Sequence, residues 1–294
     1  MKNIYVLGSL NMDLAIETKS LPRQGQTIAG ENFSTGPGGK GLNQAIAVSK
    51  LGSKVKMLGA VGDDVFGERM LEALNDNEVD TKHIKVIKGI SSGIAIIILN
   101  NHDNRIILDL GANLKLTKDD VDAFLKDASK EDIFLTQLEN DLDIIGYALK
   151  IAKEKGMMTV VNPAPSNRKI LEYSKYIDIL IPNEGELEDL LDNQNISELN
   201  IPYIVETRGK DGYHLYQKDK TIENKAIKVD VVDTTGAGDT FCGALVYQLA
   251  LGNHLDKNSL DFASLAASLS VTKKGSSTSS STMDEINYYL NHHK

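Results

Sequence analysis

The sequence predicts an α/β fold, a doubly wound and mostly parallel sheet with helices on both faces and a small β-flap lid. Three observations predict it. Short apolar runs of strand length alternate along the chain with amphipathic stretches of helical length. Several helical stretches stop on a glycine: Gly52 after Leu51, Gly156 after Lys155 and Gly252 after Leu251. Two segments of hairpin character interrupt the alternation early. At 294 residues, the chain exceeds an average domain but fits one large α/β unit, residues 1–294, with an insertion.

In chain order, Ile4–Leu7 reads as the first strand; Met1 to Leu7 lacks the basic region, long apolar stretch and cleavage site of a targeting segment. Leu14–Phe33 has hairpin character. A glycine-rich turn then leads into a helix over Lys40–Leu51, followed by a strand at Val55–Ala60 and a helix at Val65–Asn75. Ile94–Leu99 and Arg105–Leu110, within Gly93–Leu110, flank an Asn-His-Asp-Asn stretch of turn chemistry. Together the insertions 13–35 and 92–110 are expected to form the lid; the alternative is edge strands of the main sheet. Strands at Ile133–Leu138, Thr159–Val161, Ile179–Ile181 and Ile204–Glu206 follow, with helices at Leu142–Glu154, Asp239–Leu251 and Leu260–Thr272. Ser276–Thr282 taken alone reads as a flexible low-complexity loop.

A net charge of −9, from 32 Lys and Arg against 41 Asp and Glu, argues against generic binding to nucleic acid or anionic membranes. Lys82–Lys88 reads as solvated surface rather than a nucleic-acid patch. The single cysteine, Cys242, excludes an internal disulfide framework and fits a reducing compartment as a small buried residue. With no apolar run near the roughly 18 residues of a membrane span, a cytoplasmic protein is expected.

In an open parallel sheet, ligands bind beyond the carboxyl ends of the strands. Asn11 and Asp13, Glu139, Asn162, Asn183 and Glu186, and Thr207 and Gly209 all follow expected strands. Two glycine-rich segments sharpen this. Gly36-Pro37-Gly38-Gly39-Lys40-Gly41 precedes a helix whose first turn carries Asn43; it lets amides approach a small ligand but is not a Walker A loop. Asp233-Thr234-Thr235-Gly236-Ala237-Gly238-Asp239 opens another helix, where small residues expose the first amides to an anion. A first-turn Asp is common as a cap. Yet a carboxylate inside an anion site repels phosphate, which makes sense if Asp239 takes the proton of an attacking hydroxyl.

These residues resemble the ribokinase, or carbohydrate and purine kinase, family. Asp233 to Phe241 is similar to its C-terminal signature, and Gly38-Gly39-Lys40-Gly41 with Asn43-Gln44-Ala45 to its N-terminal one. Gly8 to Asp13, Val61 to Asp64, Gly111-Ala112-Asn113, Gln137-Leu138-Glu139, Asn162 to Pro165, Pro182-Asn183-Glu184 and Val271 to Gly275 match in order, spanning nearly the whole chain. The resemblance implies a ribokinase-like body and a flap covering a sugar held by Asn11, Asp13, Gly39, Lys40, Asn43 and Glu139. It further implies Asp239 as base, amides of Gly236, Ala237 and Gly238 as anion hole, and Asn183 and Glu186 organising Mg²⁺ and phosphate through water. Thr207, Gly209 and Gly212, in a Thr-x-Gly-x-x-Gly pattern, would contact ATP, with Ser264 on the adenine side. Oxygens of Asp233, Thr235, Ser270, Lys273, Gly275 and Ser279 would ligate K⁺. A homodimer through the β-flap is also implied.

Two features depart from the family: Ser and Thr replace the Pro common after the Lys-Gly pair, and the stretch from Asn183 to Thr207 is short. Asn11, Asp13 and Gly111-Ala112-Asn113 look most like the ribokinase branch, and Asn11 would suit a vicinal hydroxyl, favouring ribose over 2-deoxyribose. Lys40 and Arg105 are the obvious cations for a phosphosugar; Lys40 belongs to the shared signature and Arg105 to the flap surface. The absence of Trp disfavours a nucleoside. A non-catalytic sugar or nucleotide sensor would be signalled by an altered turn, and Gly236 to Asp239 are intact.

Overall fold

The computed structural model describes residues 2–100, 103–218 and 220–292. The first half contains β1 (Ile4–Leu7), β2 (Asn11–Glu17), β3 (Glu31–Gly38), α1 (Lys40–Lys50), β4 (Val55–Gly62), α2 (Val65–Asp76), β5 (Asp80–Ile87), β6 (Gly93–Asn100) and β7 (Asp103–Asp109). Then come α3 (Lys118–Leu125), β8 (Ile133–Thr136), α4 (Leu142–Glu154), β9 (Met158–Val161), β10 (Ile179–Leu180) and α5 (Glu184–Leu191). The chain continues through β11 (Tyr203–Thr207), β12 (Tyr213–Gln217), β13 (Lys220–Asn224), α6 (Ala237–Ala250), α7 (Lys257–Ser270) and α8 (Met283–His292).

Nine strands form the main sheet in the order β13-β12-β11-β10-β9-β8-β1-β4-β5. Pairing is parallel from β11 to β5, and β12 and β13 add an antiparallel hairpin at one edge. The alternation of strand side chains divides the core. Ile4 and Val6 join a cluster with side chains of α1, α6 and α7, whereas Tyr5 and Leu7 join one with α3 and α4. Burying each such side chain contributes roughly 1.5–3 kcal/mol. Packing on both faces therefore fixes the strand ends that carry the site.

A second sheet, in the order β3-β2-β6-β7, contains both early insertions, and its strands pair with one another rather than with the main sheet. The expected boundaries shift in one instructive way. Asn11 and Asp13 lie on β2 rather than in a loop after β1, and Gly36 to Gly38 finish β3 rather than form a turn. The Asn-His-Asp-Asn turn falls partly on residues 101 and 102, outside the described residues. Lys82 to Ile87 forms most of edge strand β5, which has no fully buried residue, as a solvated surface requires. Lysines on an edge strand keep other chains from pairing with it. The short stretch after Asn183 still accommodates α5 and a 3-10 turn at Ile196–Leu199, and β10 pairs with β11 in register. Among the described residues, no helix is long and apolar enough to cross a membrane.

Candidate active site

Parallel strands deliver their C-terminal residues to one edge. There, Gly39 turns with φ 90°, and a Cβ on it would lie 2.6 Å from Asn11 N, so only glycine admits this approach of α1 to β2. Glu139, just beyond β8, is a hub: its Oε2 accepts from Ser9 Oγ (2.5 Å), Asn11 Nδ2 (3.2 Å) and Lys40 N (3.3 Å). Asn113 donates from Nδ2 to Asn11 Oδ1 (2.8 Å) and Leu10 O (3.0 Å), while Leu10 N donates to Asn113 Oδ1 (2.9 Å). Ser9 and Asn113 thus hold the expected sugar ligands in place. Both lie in motifs the sequence singled out without giving these residues a role.

Asp239 falls in the first turn of α6 and is buried. Its Oδ2 accepts from Asn43 Nδ2 (2.9 Å) and its Oδ1 from Gln44 Nε2 (2.9 Å), joining α6 to α1. Asn43 Oδ1 is buried with no partner among the described residues, an acceptor that suits a donating hydroxyl. Burial, together with the charges of Glu139 and Asp239, pushes the Asp13 carboxyl up to about 7, against an opposing hydrogen bond from Ser276. Burial works against the Lys40 ammonium, but Asp239, Glu139 and Glu186 outweigh it and raise its pKa. One ammonium therefore lies within electrostatic reach of the Asp239, Glu139 and Glu186 carboxylates.

The turn before Asp239 presents backbone amides at the N-terminal end of α6. Gly236 caps α6 at φ 76°, where a Cβ would lie 3.0 Å from Ser276 Cα. Ala237 N reaches Thr234 O at 3.3 Å, a long bond, and the Gly236 and Gly238 amides make no hydrogen bond among the described residues. Helix α6 begins two residues before the expected Asp239 start, so these glycines belong to its N-terminal end, where the dipole is positive.

Asn183 and Glu186 form a reciprocal capping box on α5: Asn183 N donates to Glu186 Oε2 (2.9 Å) and Glu186 N to Asn183 Oδ1 (2.8 Å). Burial raises the Glu186 pKa, against Asn183 and Lys40. Asn183 also bridges Thr207, bringing the ends of β10 and β11 together. Thr207 to Gly212 is a tight turn in which Arg208 N donates to Gly212 O (2.8 Å), and Gly212 sits at φ 90°. Ser264 is buried on α7, with no hydrogen bond to that turn among the described residues.

The serine-rich stretch is not a flexible loop. Ser276, Ser277, Ser279, Ser280 and Ser281 are buried, and hydroxyls find carbonyls: Ser279 Oγ donates to Ser276 O (2.9 Å) and Ser281 Oγ to Ala266 O (2.8 Å). Lys50 Nζ donates to the carbonyls of Ser277 (3.0 Å), Thr278 (2.9 Å) and Ser280 (3.3 Å), a tether invisible in sequence. Asp233 gathers Thr235 N (2.9 Å), Thr235 Oγ1 (2.7 Å) and Gly275 N (3.0 Å), so three of the expected cation residues meet. Ser270 Oγ donates to Ala267 O, and the Lys273 ammonium pairs with Glu285. Among the described residues, no group of three or more His, Cys, Asp or Glu could hold a metal ion. The oxygens at 233–235 and 270–279 are of the kind that suits a hard monovalent cation instead.

Residues 1–283 match the family model described as pfkB family carbohydrate kinase. The chain belongs to that family. As a pfkB family kinase it is an ATP-dependent sugar kinase with a ribokinase-like fold. It is 38% identical to a ribokinase of Schizosaccharomyces pombe, covering 99% of this chain and 98% of the relative. It is 33% identical to a deoxyribokinase of Salmonella typhi, covering 98% of each. The solved structure of Arabidopsis thaliana ribokinase complexed with ribose and ATP superposes with a TM-score of 0.86 at 30% identity, covering 98% of each chain.

Proposed function

We propose that the protein transfers the γ-phosphoryl group of ATP to O5 of D-ribose, giving ribose 5-phosphate and ADP, with Asp239 as general base. The observation that carries this reading is the placement of a buried carboxylate on an amide-rich helix start, bonded to Asn43 within the polar cluster of Asn11 and Glu139. The O5–H bond breaks with its proton going to Asp239, O5 bonds to phosphorus, and the bond to the bridging oxygen breaks with its pair left on ADP. The amides of Gly236, Ala237 and Gly238 stabilise the equatorial oxygens. Asn11, Asp13, Gly39, Asn43 and Glu139 bind the sugar hydroxyls, and Lys40 faces the transferred group.

Thr207, Gly209, Gly212 and Ser264 hold the nucleotide. Mg²⁺, when bound, neutralises phosphate charge, and Asn183 and Glu186 would hold it through water. K⁺, ligated by oxygens of Asp233, Thr235, Ser270, Lys273, Gly275 and Ser279, would add positive charge beside the turn. The β2-β3-β6-β7 sheet acts as the lid that excludes water, within a single domain. The working form is a cytoplasmic homodimer joined through that sheet.

A deoxyribokinase among the relatives makes 2-deoxyribose the informative competitor. A coupled ADP-release assay with ribose, 2-deoxyribose, fructose 6-phosphate and adenosine, with and without K⁺, tests the reading. Ribose should give the highest kcat/KM, and K⁺ should raise it. Faster turnover of another acceptor would replace ribose, and indifference to K⁺ would remove the cation.

A further inference from the structure

Gln44 lies in the N-terminal signature, and the proposed chemistry leaves it without a role. It is fully buried, as is Gln137. Gln137 Oε1 is buried with no partner among the described residues, but Gln137 Nε2 donates to Gln44 Oε1 (2.6 Å), so Gln44 presents its carbonyl to Gln137. Its amide group must then point the other way, where Nε2 donates to Asp239 Oδ1 (2.9 Å) and Asn162 Oδ1 (3.1 Å). Asn162 is itself oriented, because its Nδ2 donates to Ile181 O (2.8 Å). Every hydrogen of the Gln44 amide is therefore used, leaving none for a sugar hydroxyl. Buried amides joined with one consistent polarity hold their partners more rigidly than an apolar side chain of equal volume.

We propose that Gln44 is a positioning residue for phosphoryl transfer, its amide locked by Gln137 and Asn162 so that it fixes the Asp239 carboxylate. This rests on the reading of Asp239 as base. With Oδ1 held by Gln44, the carboxylate cannot rotate about its Cβ–Cγ bond, and Oδ2 is the oxygen that takes the O5 proton. The orphan carbonyl of Asn43, whose amide contacts that same Oδ2, marks where the sugar hydroxyl arrives. Gln44 itself moves no proton and forms no bond to substrate.

The test compares steady-state kinetics with ribose and ATP for Gln44→Met, Gln44→Glu, Gln137→Leu and Asp239→Asn. Gln44→Met removes both donors at similar length. It should lower kcat by about 10- to 100-fold, with both KM values within about threefold of wild type. Gln44→Glu keeps an acceptor for Gln137 but presents an oxygen to Asp239, and should lose at least as much. Gln137→Leu leaves the donors in place but frees the amide to turn; its kcat should fall by about fivefold or more. It carries the test if the Gln44 variants do not fold. Normal kcat in Gln44→Met, or in Gln137→Leu where only that variant folds, would overturn the positioning role. If Asp239→Asn loses turnover in that case, the base reading stands alone; if Asp239→Asn also keeps full turnover, the base reading fails first.

Discussion

Asp13 holds its proton far above the usual carboxylate range because its charge would be buried beside Glu139 and Asp239. Its folded pKa of about 7 exceeds the unfolded value of 3.8, so the folded chain binds the extra proton between them. Raising the pH through that window therefore destabilises the fold through this residue. Asp13→Asn should raise the thermal midpoint, with the gain larger at pH 8 than at pH 5, measured by calorimetry without ligand. The same variant should weaken ribose binding, the usual exchange of stability for a charged site. At Gly236, an alanine must adopt φ 76° and meet Ser276, so Gly236→Ala should cost about 1–2 kcal/mol in urea unfolding and depress kcat more than KM. Asp239 could be singled out in sequence as the proposed base because a carboxylate after Gly-Ala-Gly is an odd choice beside an anion site, although a first-turn Asp is also common as a cap. Gln44 could not, since its three partners lie between 93 and 195 residues away in sequence.

Among the elements, α1 joins the two ends of the site. Its first turns carry Asn43 and Gln44 to Asp239, and its last residue, Lys50, grips the serine-rich stretch that backs Gly236. Lys50→Met removes three charge-assisted bonds to carbonyls. It should lower the thermal midpoint by several degrees and raise the KM for ATP more than that for ribose, while Lys50→Arg restores both. Composition alone made 276–282 look flexible; serine hydroxyls matched to carbonyls make it ordered, and only tertiary contacts reveal that. Strand β5 escaped the sequence reading for a related reason. As an edge strand it is half-exposed, so its lysines mask the apolar alternation that announced the buried strands.

At the scale of the molecule, the parallel sheet and its switch of polar residues at the strand ends were legible because strands buried on both faces read as plain apolar runs. The second sheet was legible as well, because two hairpin segments interrupting the α/β alternation read as one small sheet, although a period-2 pattern alone left edge strands of the main sheet as the alternative. The second sheet leaves Phe33, Ile106 and Ile107 exposed. In the proposed homodimer these exposed apolar side chains would be covered by the second copy. Sedimentation should give a dimer for the wild type and a monomer for Ile106→Asp. The account as a whole turns on one carboxylate. The turnover of Asp239→Asn, read by ADP release beside ribose binding by calorimetry, tests it most directly. The account predicts a loss of about a thousandfold or more in kcat with ribose affinity within about threefold of wild type; turnover within tenfold of wild type would contradict it.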